Sequence, residues 1–272
     1  MTTTKIEWTD KTWNPVTGCT PISPGCAHCY AKRMAKRLAG RCGYPQAPHE
    51  FDVTLHPDRL DEPAQWRKPA RVFVCSMSDL FHDDVPRKFI HGVFDVMINT
   101  PQHTFQVLTK RPERMAHIVQ EYFYLRDING YDRTSPGKNI WFGVTAENQE
   151  QADARIPLLL EIPAVVRFVS IEPMLGPVGL TKPVRPMCDG KPCWPCSESM
   201  LFGLDWVICG GETGPGARPF DVMWAASLLD QCSDAGVPFF YKGAGTAQYS
   251  KDDPQYRKLS GKLYEEYPEV AR

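Results

Sequence analysis

The chain opens MTTTKIEWTDKTWNP, without the apolar core of a secretory signal, and no later apolar run is long enough to cross a bilayer. A cytoplasmic protein with no membrane partner is expected. An excess of either charge is also missing: 31 Lys and Arg against 32 Asp and Glu leave a net charge of −1. That excludes a global basic field for nucleic acid and leaves room only for a local basic groove. No Gly-x-Gly-x-x-Gly opens a helix after the first strand-like run, so a dinucleotide-binding fold loses support. Internal repeats and low-complexity tracts are absent as well. Cysteine, in contrast, is plentiful, with ten residues. Without a signal segment, and with close spacing, these argue for metal binding rather than disulfides.

With 272 residues, 42% of them hydrophobic, the chain suits one large domain with a substantial core. Short β-branched and aromatic runs recur at Arg71 to Met77, His103 to Thr109, Asn139 to Thr145, Ala164 to Ile171, Asp205 to Cys209 and Val237 to Tyr241. Each reads as a buried strand. Between them lie stretches with helical spacing: Phe89, Val93, Phe94 and Met97; Ala152, Ile156 and Leu159; Trp224, Leu228 and Leu229. With a first strand near Trp13, the alternation gives six or seven right-handed βαβ units and a parallel sheet. The fold class expected is α/β, a partial or complete (βα) barrel. One barrel domain is expected over residues 1–246, interrupted by an insert at about 181–204 that is rich in Pro, Gly and Cys. The polar segment 247–272 is expected to pack over the domain or lie at its surface.

The run CTPISPGCAHCY places Cys19, Cys26 and Cys29 in a loop turned by Gly18, Pro21, Pro24 and Gly25, directly before the helix-like stretch Tyr30 to Leu38. Three thiolates are one fewer than a tetrahedral structural zinc usually takes. An iron-sulfur cubane held by three cysteines keeps one iron free for a substrate or cofactor. By spacing alone, zinc held by these three with His28 or Cys42 stays open, because thiolates suit both metals.

The CTPISPGCAHCY run resembles, in a widened spacing, the cysteine motif of radical S-adenosylmethionine enzymes, including the aromatic residue, here Tyr30, after the last cysteine. The stretches IEWTDKTWNPVTGC, VFVCSMSDLFHDDVP, HTFQVLTKRPERM, FGVTAENQEQADARIPLLL, RFVSIEPMLGP, WVICGGETGPGARP, GVPFFYKGAG and LSGKLYEEYP resemble one group in that class, the phage and bacterial three-Cys-motif proteins, long listed as a family of unknown function. The resemblance covers nearly the whole chain. It implies a 4Fe-4S cluster on Cys19, Cys26 and Cys29, with S-adenosylmethionine on the fourth iron. Reductive cleavage would then give a 5′-deoxyadenosyl radical that abstracts hydrogen from the substrate. It also implies an electron donor such as flavodoxin or ferredoxin. The phage association points to a nucleotide or nucleic-acid substrate, for modification or repair.

In barrels of this kind function gathers at the carboxyl ends of strands. The polar residues there are Ser76, Ser78, Asp79 and His82; Lys110 and Arg111; Glu147 and Asn148; Glu172; Gly210, Gly211 and Glu212; and Lys242. Ser76, Ser78 and Asp79 stand where the class usually carries a Gly-Gly-Glu-type turn; they either bond methionine or ribose, or cap the next turn. Lys110 continues the strand alternation inward and suits a cofactor carboxylate or a phosphate, whereas Arg111 reads as a solvated charge ahead of Pro112. Glu147 and Glu172 either accept from ribose hydroxyls or a base edge, or begin the next helix. In CGGETGPGARP, the glycines allow close backbone approach to adenine or phosphate, and Glu212 with Arg218 can clamp polar groups.

Cys188, Cys193 and Cys196, spaced C-x4-C-x2-C, form a second thiol group, which either holds a second cluster, or zinc together with Cys209 or a distant residue, or is unligated; a second metal or cluster is the expectation. Cys75 and Cys232 read as small core residues. Tryptophans are assigned to packing, except Trp194 between two of these cysteines. Two further readings compete with the radical enzyme. One is a zinc-stabilised module that binds nucleic acid or protein without catalysis. The other is a closed cluster for electron transfer or sensing, with a fourth ligand such as Cys42.

Overall fold

The structure is a computed structural model that describes residues 4–128, 137–181, 187–188, 191–192 and 199–269. Seven strands form its main sheet: β1 (Lys11–Trp13), β2 (Arg71–Val74), β3 (Thr104–Thr109), β4 (Ile140–Thr145), β5 (Val166–Ile171), β6 (Trp206–Gly210) and β7 (Phe239–Gly243). They lie side by side in that order and run parallel. The order advances in one direction without the reversal that defines a doubly wound sheet. β1 and β7 are the two edges, so the array is a partial (βα) barrel rather than a closed one. Helices α1 (Tyr30–Leu38), α2 (Arg87–Asn99), α3 (Pro112–Ile128) and α4 (Gln149–Leu160) follow β1 to β4 in turn, and α5 (Val222–Ala235) follows β6; between β5 and β6 the described residues hold a 3-10 turn, Met200–Gly203, in place of an α-helix. The chain divides into two compact units, residues 1–143 with 162–165 and residues 144–161 with 166–272.

In the first unit α2 buries Ile90, Val93, Phe94 and Met97, a stripe at helical spacing. β2 ends at Val74, three residues before the expected Met77. Cys75 adopts a left-handed backbone (φ 59°), which breaks the strand and turns the chain into Ser76–Asp79. A short antiparallel pair, Val16–Thr17 with Thr54–Leu55, follows β1. Gly18 comes next at φ 83°, where an added Cβ would stand 2.1 Å from the Asp52 carbonyl oxygen. Only glycine fits there, and it launches the cysteine loop.

In the second unit Asn148 caps α4 by accepting from the Gln151 N–H, and Asp221 caps α5 by accepting from that of Met223. The segment after β7 returns along its edge: the Tyr241 N–H donates to Tyr264 O, and the Glu266 N–H to Phe239 O. It buries Tyr256 and Leu259. Gly211 packs so closely on this turn that an added Cβ would meet the Ala244 carbonyl oxygen at 2.5 Å and the Gly245 nitrogen at 2.8 Å. Both are backbone atoms that cannot rotate away. Gly211→Ala is therefore expected to cost about 2 kcal/mol, read as a lower urea midpoint with an unchanged slope.

Candidate functional site

Within the first unit, the carboxyl ends of β1, β2 and β3 lead into the cysteine loop, the Ser76–Asp79 turn and the Lys110–Arg111 pair. The loop is pinned at its start, where the Gly18 N–H donates to Met77 O (3.1 Å) and that of Cys19 to Phe51 O (3.2 Å). A 3-10 turn, Pro24–Cys26, follows, and Cys29 stands at the N-cap of α1 with its N–H on Cys26 O (3.3 Å). All three thiols are free and partly accessible. Arg111 reaches the first of them, its guanidinium 3.6 Å from Cys19 Sγ.

That contact belongs to a network. Asp79, 6% exposed, accepts from the Phe81 N–H and Thr109 Oγ1 through one oxygen, and from the Lys110 N–H and Arg111 through the other. Arg111 also donates to the carbonyl and hydroxyl oxygens of Thr20, both at 3.1 Å. His82 accepts the Asp84 N–H at Nδ1 (3.1 Å), which assigns its proton to Nε2, 2.7 Å from Thr20 Oγ1. Burial and the nearby Arg111 charge lower the pKa of His82, in keeping with a neutral ring. Burial pushes the Cys19 thiol up to about 11, the Asp79 charge adds to this, and Arg111 opposes it. Metal binding at this loop would therefore displace a proton from Cys19.

The expected weights of the basic pair are thus exchanged. Arg111, expected to be solvated, is 8% exposed and joins the network, while Lys110 contributes its backbone N–H to Asp79. The hydroxyls of Ser76 and Ser78 donate to Asn14 Oδ1 and Val16 O, tying this turn to the segment before the cysteines. Tyr30 is 56% exposed at the start of α1. Sequence reasoning missed Thr20, which is hidden between a cysteine and a proline, and undervalued Arg111, which bends back to partners far along the chain.

Within the second unit every expected carboxylate has a cationic partner. Glu147 is fully buried and 2.9 Å from Arg155, which also holds Thr145 O. Glu212 takes the Arg218 side chain through both oxygens and the Arg218 backbone N–H as well. Glu172 receives Lys242 Nζ at 2.7 Å on each oxygen. These two meet across Gly210, where an added Cβ would come within 3.1 Å of Lys242 Cβ and 3.8 Å of Glu172 Cγ. Glu147→Gln would strand the buried guanidinium of Arg155, and a loss of about 3 kcal/mol is expected in chemical denaturation.

No group of three or more His, Cys, Asp or Glu among the described residues stands ready to hold a single ion. Thiolates around one tetrahedral zinc would crowd to roughly 3.8 Å from one another. A cubane carries each thiolate on a different iron and does not require that crowding. The donor set fits such a cluster in its chemistry: three free thiols in one loop, with a fixed guanidinium beside the first. Of the second thiol group, Cys193 and Cys196 lie outside the described residues, as does Trp194, and for Cys188 only the backbone, in a two-residue strand, is described.

Residues 3–268 match the family model described as "Protein of unknown function (DUF5131)", and the chain belongs to that family. No curated protein matches it. Among solved structures, a cysteine-to-serine variant of spore photoproduct lyase aligns over 85% of this chain at 11% identity and a TM-score of 0.44. The chain spans 62% of that protein's length.

Proposed function

We propose that the protein is a radical S-adenosylmethionine enzyme whose 4Fe-4S cluster is held by Cys19, Cys26 and Cys29. The observation that carries this reading is the loop of three free thiols at the carboxyl end of β1, backed by the buried Asp79–Arg111 pair. When bound, the cluster supplies the electron that cleaves S-adenosylmethionine to methionine and a 5′-deoxyadenosyl radical, which takes hydrogen from the substrate. Arg111, held by Asp79 and Thr20, sets a fixed positive charge against Cys19 and stabilises its thiolate.

Tyr30, Ser76, Ser78, Asp79 and Lys110 are assigned to the cofactor's side of the site. In the second unit Glu172, with Lys242, is more open than the Glu147 or Glu212 carboxylates, and its side chain is 24% exposed. We assign it, with the Gly210–Glu212 turn and Glu147, to polar groups of cofactor or substrate. A nucleotide or nucleic acid is the substrate class we favour, and a single barrel domain with its insert is the organisation. Anaerobic reconstitution with iron and sulfide, then dithionite and S-adenosylmethionine, should give a brown protein that releases 5′-deoxyadenosine. A colourless protein that retains zinc and releases none would instead establish the non-catalytic binding module.

A further inference from the structure

Helix α1 begins immediately after Cys29 and is amphipathic in an unusual way. Ala31 and Ala35 are buried with Tyr44 and Met77, and Met34 and Leu38 pack against them. At about 100° per residue, Lys32, Arg33, Lys36 and Arg37 lie on the opposite side. Lys32, Lys36 and Arg37, followed by Arg41 beyond the helix, are exposed, and among the described residues no carboxylate pairs with any of these four. The first turn has no acidic residue, so Lys32 and Arg33 oppose the helix dipole. Lys32 with Lys36, and Arg33 with Arg37, are like charges at i,i+4, each pair costing about 0.2–0.5 kcal/mol. Lys36 and Arg37, in the last turn, face the favourable end of the dipole, so the cost falls on the first turn and on the like-charge pairs, in a chain whose net charge is −1.

We infer that this cationic face docks a small acidic one-electron carrier protein. The inference rests on the radical S-adenosylmethionine reading, in which an electron must enter from outside at the cysteine loop. A carrier seated on α1 is brought against that loop, because Cys29 is the N-cap of the helix. A nine-residue helix spans only about 13 Å, and four cations fall short of the roughly 6–10 phosphate contacts of strongly salt-dependent nucleic-acid binders. The patch suits the charged rim of a protein contact, which sets encounter rate and salt dependence.

The test uses the reconstituted full chain, the charge-reversed variant Lys32→Glu/Lys36→Glu/Arg37→Glu and the neutral variant with Gln at the same positions. Bleaching of the cluster by reduced flavodoxin is followed in a stopped-flow instrument at several salt concentrations, with dithionite as the small-molecule control that needs no docking surface. The expected result is a wild-type rate that falls with salt, at least about tenfold slower reduction of the charge-reversed variant at low salt, and an intermediate neutral variant. Dithionite should reduce all three alike. Equal flavodoxin rates in the three proteins overturn the docking surface. So does loss of single-stranded oligonucleotide binding, read by fluorescence anisotropy, with flavodoxin reduction unchanged. A wild-type protein that holds no dithionite-reducible cluster overturns the radical reading itself, and the docking with it.

Discussion

Cys26→Ser is expected to bring both cluster assembly and 5′-deoxyadenosine release to background while leaving the fold intact. The backbone at this position is set by local bonds that serine retains: the Cys26 N–H donates to Ser23 O at 2.9 Å, and Cys26 O accepts from the Cys29 N–H. What serine lacks is a thiolate, the ligand that iron would take from this loop in the proposed cluster. Cys42→Ser is the matching control. Cys42 is exposed, and a closed cluster that used it as fourth ligand would lose iron with that change. Retention of the cluster in Cys42→Ser together with its loss in Cys26→Ser separates an open site from a closed one. Iron and sulfide content and the visible absorption of the reconstituted proteins give the answer.

Asp79→Ala is the second change with a large expected effect, this time on stability. It removes the acceptor for two backbone N–H groups, one hydroxyl and a guanidinium, at a carboxylate that is only 6% exposed. Breaking a buried pair by deleting one partner costs roughly 3–5 kcal/mol, and the further stranded donors place this change towards the upper end. The loss should appear as a lower midpoint in urea. Arg111→Gln tests the same network from the side of the metal. It keeps an N–H donor and removes the charge beside Cys19, and iron affinity is expected to fall about 10- to 100-fold, as for other supporting residues around metal ligands. Arg111→Lys keeps the charge but loses the fork that spans Cys19, Asp79 and Thr20, so only partial recovery is expected.

Much of the architecture was legible because buried parallel strands are short apolar runs with little else to disguise them. β3 to β7 fall within two residues of their expected positions, and α1 spans Tyr30–Leu38 as its spacing predicts. The end of β2 was misread because Cys75 is apolar and fits the strand pattern, yet its left-handed backbone is imposed by the turn that follows. The site was legible as residue types but not as partnerships. Glu147, Glu172 and Glu212 stand out at strand ends, but the cations that meet them come from α4, from β7 and from the residues after a glycine-rich turn. Strand alternation favoured Lys110 over Arg111, and alternation ends with the strand at Thr109. Beyond it the longer side chain turned back to Asp79 and the cysteine loop, a contact set by tertiary packing.

The central claim is that three thiolates leave one iron open to S-adenosylmethionine. Electron paramagnetic resonance of the dithionite-reduced, reconstituted protein, with and without S-adenosylmethionine, tests this most directly. An open iron that binds the cofactor predicts a spectrum whose g-values shift on its addition, and this shift should vanish together with the cluster in Cys26→Ser. A reduced cluster whose spectrum is the same with and without the cofactor would contradict the account.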